Sequence, residues 1–426
     1  MAMQKKSSPI QHQPDWLLIG LALLLVVQMT FLSVPGPARA GGLTIIIVTT
    51  VADELNNDSD CSLREAIKAA NHDIAVSGCP AGSGHDVIHL GPGHYALSLP
   101  GIGEDLGMTG DLDIFSDLTI TGEGADQTII DGNGLDRVFH IVGENSVKIL
   151  GVKITNGYAS SSGVYGGGGI LNENGDLEVL VSVISDSHAI KTGGGVDNSS
   201  SARFTNVTLT GNTSTEGGGI FNDGTLVLTN VVLHGNSATS TGGGIDNQYE
   251  ALLTSVTISG NTAQQEGGGL FTDGAMEMTI LNSTFMENST GVANAGTSVR
   301  FKNTIVANST AGDNCTGSVG SFTSLGHNLD SGNTCRFASP GDQSSVNPML
   351  GPLQDNQGPT YTHAVLPGSP AIDQGDNIDC PDVDQRGAFR PADGDEDGLK
   401  ICDVGAYEYR GNFPAPVFLP LISRSR

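Results

Sequence analysis

The chain has 426 residues, with 19 Lys and Arg against 46 Asp and Glu and a formal net charge of −27. So acidic a surface argues against nucleic acid or an anionic membrane as partner, because phosphate binding needs clustered Lys and Arg; it leaves a non-sticky exterior or cation binding. Sixty glycines and an aromatic content of 5% point to a turn-rich all-β protein rather than a helical one.

Residues 1–40 read as a signal peptide. Lys5 and Lys6 precede an apolar run from Trp16 to about Val34, and Ala38-Arg39-Ala40 supplies small residues at the positions a signal peptidase reads. A membrane anchor is the alternative, since the run is nearly long enough to span a bilayer. Cleavage leaves 16 basic and 45 acidic residues, a balance of −29, and no transmembrane segment. The mature protein is expected outside the cell or on a bacterial cell surface.

Residues 41–85 form an N-terminal cap whose one helix is "CSLREAIKAAN". Ser62 and Glu65 make a capping box, and Leu63, Ala66, Ile67 and Ala70 share an apolar face. Such a helix covers the open end of a solenoid core. Cys61 and Cys79 flank it. The six cysteines (61, 79, 315, 335, 380 and 402) fall into three local pairs, which favours neighbour pairing in an oxidising compartment. Fifteen connectivities remain open. There is no C-x-x-C.

Residues 86–311 carry a repeat. Three glycines and an apolar residue recur at Ile170, Val196, Ile220, Ile245 and Leu270, spaced by 26, 24, 25 and 25. Two positions on stand Asn172, Asn198, Asn222, Asn247 and Thr272, with Asn294 in a degenerate copy; a second polar column runs Asp186, Asn212, Asn236, Asn261, Asn288 and Asn308. Between the markers apolar residues alternate with period two, and no helical pattern intervenes. A unit of about 25 residues built from short strands is one coil of a parallel β-helix, with an inward aliphatic stack, asparagine ladders and glycine corners. Strand follows the glycines and no lysine does, so a phosphate-binding loop is excluded. Residues 117–159 read as earlier coils. His85, His89 and His94 lie on an extended stretch too long to share one ion.

Residues 312–411 form an irregular C-terminal module containing "DGDEDG". Asp393, Asp395, Asp397 and the carbonyl of Leu399 are candidate Ca²⁺ ligands, with Asp373, Asp376 and Asp379 adding local charge. No acid stands at the twelfth position, which is Val404. No other cofactor is required. Residues 412–426 are a tail: a sorting segment or a loose end.

"CSLREAIKAAN" resembles the signature of bacterial exported proteins named for their CSLREA motif. Residues 350–409 resemble the choice-of-anchor Q domain, and the repeats between resemble right-handed parallel β-helix repeats and those of polymorphic outer membrane proteins, a group of adhesins. The resemblance implies a secreted or surface-displayed protein with a right-handed parallel, pectin lyase-like β-helix, and no particular chemistry.

The leading functional expectation is a non-enzymatic adhesin or carbohydrate-contacting surface protein, its partner an extracellular polysaccharide or a neighbouring cell. The alternative is a polysaccharide lyase or glycoside hydrolase of the pectate-lyase-like type with a divergent site. Such a lyase gathers carboxylates around Ca²⁺ with a Lys or Arg base. In the repeat section from 166 to 310 only Lys191, Arg203, Arg300 and Lys302 are basic, and none recurs with a carboxylate cluster in the same column. The coils alternate between "EGGGIFNDG" or "EGGGLFTDG" and "TGGGVDN" or "TGGGIDN". If Ile220 points inward its neighbours point outward, in columns Leu171, Asp197, Phe221, Asp246, Phe271 and Glu173, Ser199, Asp223, Gln248, Asp273. Glu216, Phe221, Asp223, Asp246, Glu266, Phe271 and Asp273 are therefore the candidate ligand-binding residues.

Overall fold

The structure, a computed structural model, describes residues 42–160, 166–274, 276–296 and 298–411. The expected signal peptide and the tail 412–426 lie outside the described residues. The period-two alternation of one repeat folds as strands Ile220–Asn222, Thr225–Thr229, Val232–His234 and Ser237–Ala238. Each pairs in parallel with its counterpart one repeat later, Ile220 with Ile245, Thr225 with Glu250, Val232 with Thr257 and Ser237 with Thr262. Among the described residues repetition builds four ladders of nine, eleven, eleven and five strands, the first to fourth sheets in that order around a coil. The chain is an all-β parallel β-helix.

The stacks fall where the sequence puts them. Ile170, Val196, Ile220, Ile245 and Leu270 are in register in the first sheet and wholly buried. Beside them Asn172, Asn198, Asn222 and Asn247 each donate from Nδ2 to the next side chain, at 2.7 Å between asparagines and 3.3 Å onto Thr272 Oγ1. The second ladder links Asn212, Asn236, Asn261 and Asn288 at 3.0 Å per step. Asp186 and Asn308 do not join it. They occupy the preceding left-handed turn position (φ 53° and 54°), where other coils have Gly211, Gly235 and Gly260, so their columns were one residue out of register. The rung equivalent to Asn212 is Ser187, whose amide donates to Asn212 Oδ1.

The glycine corner is demanded by stacking. Gly217 has φ +65°, and a Cβ on Gly218 or Gly219 would stand 2.5 Å from the carbonyl oxygen of Gly243 or Gly244 in the next coil. Only glycine lets the backbones approach to hydrogen-bond there.

At the N-terminal end, the helix Leu63–His72 has its capping box formed by Ser62 and Glu65, and its Leu63, Ala66, Ile67 and Ala70 face joins the solenoid core. The disulfides are Cys61–Cys79, Cys315–Cys335 and Cys380–Cys402. The coils extend beyond 86–311 in both directions: Thr44–Ile47 pairs with Asp86–His89, and strands as late as Gln343–Ser344 continue the third sheet. An antiparallel pair, Leu350–Gln354 with Thr362–Val365, follows. This pair and the residues after it clasp the third sheet. Thr257 Oγ1 donates to Gln385 Oε1 at 2.6 Å, Ser259 Oγ meets His363 Nε2 at 2.8 Å, and a second core joins Met286, Ile305 and Leu329 to Ile372 and Val404.

Asn236 Nδ2 donates to Leu209 O and Asn261 Oδ1, and its Oδ1 accepts from Asn212. Asn236→Ala strands these buried partners and is expected to cost roughly 2–4 kcal/mol. Asn308→Gly, outside the ladder, is expected to stay within about 0.5 kcal/mol of the native chain. Denaturant unfolding measures both, and equal losses would overturn this assignment of the ladder.

Candidate functional site: an aromatic and acidic cleft on the first sheet

The outward column of the first sheet is continuous. Asp113, His140, Leu171, Asp197, Phe221, Asp246, Phe271 and Ala293 follow one another in register. Most of it does not face solvent, contrary to expectation: Leu171, Asp197, Asp246 and Phe271 are 2, 1, 0 and 9% exposed. The corner residues fold over the strand and cover it. Thr192 Oγ1 donates to Asp197 Oδ2 at 2.6 Å, with the Gly166 amide joining at 2.8 Å. Thr241 Oγ1 donates to Asp246 Oδ2 at 2.5 Å, while Gln248 Nε2 holds Asp246 Oδ1 at 2.6 Å.

This pinning explains the two kinds of coil. Where the outward residue is Asp, the residue opening the corner is a Thr that donates to it. Where it is Phe, the opener is Glu216 or Glu266. Asp246 is thus a structural carboxyl beneath the surface and not an exposed ligand contact. Burial pushes it up to about 7 against the hydrogen bonds from Thr241 and Gln248, and the charges of Glu216 and Asp273 add to the rise.

Above Asp246 lies a cleft of ≈ 490 Å³ lined by Glu216, Phe221, Asp223, Ser240, Thr241, Gln248, Phe271 and Asp273. Five of the seven residues expected from sequence line it. Asp246 lies below it and Glu266, exposed, is outside its lining. Phe221 is half-buried and Phe271 shows only an edge, while Asp223 and Asp273 are exposed. The volume suits a small ligand. Its carboxylates accept hydrogen bonds from hydroxyl or ammonium groups, and Phe221 with the exposed edge of Phe271, on strands two coil spacings or about 9.6 Å apart, offers apolar contact.

Sequence reasoning missed a second polar centre on the same column. His140 lies between Asp113 (Nδ1 to Oδ1, 3.1 Å) and Glu173 (Nε2 to Oε2, 3.3 Å), and Arg137 Nη1 donates to Asp111 Oδ2 at 3.0 Å. Burial, with Asp113 nearby, pushes Asp111 up to about 8. Burial pulls His140 down, but the Asp113 hydrogen bond and the Asp111 and Asp113 charges outweigh it and raise its pKa. Extending the outward column upstream through "DLDIF" and "VFHIV" finds these residues; without glycine markers they escape a repeat search. His140 and Asp113 are buried, and the centre is tied to the cap through Arg64, which donates to the carbonyls of Gly110 and Asp111. Arg203 stands in the second sheet, paired with Glu178 and Val227, and neither it nor Lys191 lines the cleft.

The acidic loop of the C-terminal module departs from the sequential Ca²⁺ loop. One carboxylate oxygen each from Asp373, Asp393 and Asp395 lies within 4.8 Å of the other two, and Asp397 is not among them. Asp397 Oδ1 accepts from its own loop, the Leu399 amide at 2.8 Å, and Leu399 is 60% exposed. Two other acidic groups, Glu54–Asp58–Asp60 and Asp105–Asp113–His140, meet the same distance. His85, His89 and His94 take separate partners in Thr119, Thr121 and Asp131.

No family model matches the chain, and no curated protein does. Among solved structures it is similar to the crystal structure of pectate lyase Pel9A, at 13% identity and a TM-score of 0.44, over 87% of this chain and 98% of that one. Among the described residues no helix is long and apolar enough to cross a membrane.

Because Asp246 binds its proton more tightly folded than unfolded, its contribution is full below the ordinary carboxylate pKa of 3.8 and fades as pH rises to about 7. Asp246→Asn keeps the shape and removes this titration. The variant is expected to gain on the native chain by on the order of 2 kcal/mol between pH 5 and pH 8. Thermal unfolding across that range checks it; parallel native and variant curves would show that Asp246 is ionised throughout.

Proposed function

We propose that the chain is an exported, surface-displayed β-helix protein of the kind the CSLREA resemblance implies, and that it acts as a non-enzymatic adhesin gripping carbohydrate in the first-sheet cleft. The observation that carries this reading is the pair Phe221 and Phe271 on a rigid ladder, with Glu216, Asp223 and Asp273 around one opening. Apolar ring faces against sugar C–H surfaces and carboxylates accepting from hydroxyls are the two contacts a glycan site needs. Three disulfides suit an oxidising, extracellular setting.

The charge also favours a substrate class. An opening ringed by carboxylates, on a protein of net charge −27, repels uronate polymers and admits neutral or amino sugars. Beside the cleft, Asp246 is the observation on the side of a glycoside hydrolase, since a carboxyl held neutral near pH 7 is what a general acid requires. Its complete burial and its bonds to Thr241 and Gln248 keep that proton from the cleft. Adhesion is the better-supported reading.

A glycan array including chitosan, neutral and polygalacturonate oligomers tests it. Neutral or amino-sugar oligomers are expected to bind, and Phe221→Ala to weaken them by roughly tenfold with the melting temperature unchanged. Binding indifferent to Phe221→Ala, or confined to uronates, would refute the proposal. Release of cleaved sugar, lost in Asp246→Asn, would make the protein a hydrolase.

A further inference from the structure

We propose that Asp373, Asp393 and Asp395 form a Ca²⁺ site that fastens the acidic loop 393–398 to the body of the C-terminal module. Asp373 comes from a separate segment, twenty residues upstream of the loop. Its Oδ2 accepts from the amides of Gly394 (3.0 Å) and Asp395 (2.7 Å), drawing the loop onto it. Asp393 Oδ2 likewise accepts from the Gly398 amide, and Asp395 Oδ1 from the Asp397 amide. Each carboxylate therefore spends one oxygen on the loop's own backbone.

The other oxygens point to a ligand. Asp373 is 7% exposed, and its Oδ1 is buried with no hydrogen-bond partner among the described residues; Asp393 Oδ1 is in the same state. A buried, unpartnered carboxylate oxygen is costly, and two of them beside a third carboxylate add like-charge repulsion. Oxygens arranged around one Ca²⁺ at roughly 2.4 Å stand no more than about 4.8 Å apart, a distance that one carboxylate oxygen from each of Asp373, Asp393 and Asp395 satisfies. All the donors are hard oxygens, which suits Ca²⁺ and disfavours zinc. Asp395 is exposed, leaving that side open to water, as Ca²⁺ sites with six to eight ligands allow.

The surroundings fix Asp373 before any ion arrives. Its amide donates to Asp403 Oδ1 at 2.8 Å, the Gly375 amide to Cys402 O at 2.7 Å, and the Cys380–Cys402 disulfide closes the same segment. The competing answer to the stranded oxygen is a proton on Asp373, whose pKa burial raises, helped by the charges of Asp395 and Asp393. A shared proton predicts no response to Ca²⁺ at neutral pH.

The full chain, stripped with EDTA and desalted, is titrated with CaCl₂ by calorimetry at pH 7.5, with MgCl₂ as a second arm and thermal unfolding in parallel. One site is expected, with an affinity in the range of extracellular modules, roughly 10⁻⁴–10⁻³ M, and a higher melting temperature in Ca²⁺. Asp395→Asn, at an exposed position where folding is safe, is expected to weaken binding at least about tenfold and Asp373→Asn to abolish it, while Asp397→Asn binds as the native chain does. Should Asp373→Asn fail to fold, Asp393→Asn and Asp395→Asn carry the test. Absence of heat and of any melting shift at about 5 mM Ca²⁺ would overturn the site. So would undiminished binding in Asp395→Asn and Asp393→Asn, which moves the ion to another acidic group. Tighter binding of Mg²⁺ would overturn the choice of ion.

Discussion

In-register parallel stacking is the constraint from which the rest follows. Each residue of a coil lies beside its own counterpart one strand spacing away, so every position must tolerate a copy of itself. Isoleucine over isoleucine buries both. Asparagine over asparagine works because an amide carries donor and acceptor together, and the 2.7 Å steps from Asn172 to Asn247 use both. At the corner the copy is tolerable only without a Cβ. Carboxylate over carboxylate fails this test, since it stacks like charges. The outward column meets the difficulty by alternation, with Asp197 and Asp246 separated by Phe221 and followed by Phe271. The openers alternate in step, Thr192 and Thr241 with Glu216 and Glu266.

What the sequence made legible was whatever repeats. The aliphatic stack, the two amide ladders, the glycine corners and the capping helix were readable because each is a period or a local motif. Depth was not readable. Period two places Asp246 on the outer face correctly, yet the same face is roofed by Thr241 and Gln248, and nothing in alternation tells an outward side chain from an exposed one. Register at the ends of a column failed for a related reason. Asp186 and Asn308 are polar residues one place from a rung, and only the left-handed turn shows which slot they fill. The His140 centre and the partnership of Asp373 with Asp393 depend on contacts between segments that share no motif.

The same lattice limits what the cleft can do. Phe221 and Phe271 are two coils apart because the ladder holds them there, so their spacing does not adjust to a ligand as loops would. With Asp246 neutral up to about pH 7, the negative charge facing a ligand comes from Glu216, Asp223 and Asp273 around the rim. Rim charges act on approach and on choice of partner more than on holding strength. The rings supply the holding, and one half-buried ring with the edge of another supplies little per site. Under the proposed adhesin role, modest affinity per cleft would be multiplied by many copies of the chain on one surface.

The three disulfides stand where repetition gives out. Cys61–Cys79 closes the segment around the capping helix, Cys315–Cys335 the last coils, and Cys380–Cys402 the clasp on the third sheet. Within the regular coils, order is supplied by ladders that every added unit extends, and the stability of a solenoid is close to a sum over such neighbours. Segments outside that sum have no counterpart to stack on, and must be ordered by links that shrink their unfolded freedom. The acidic loop 393–398 is such a segment, exposed over most of its length and held by backbone amides to Asp373. A cation shared among Asp373, Asp393 and Asp395 would serve there as the cysteines serve beside it: a cross-link where the lattice offers none.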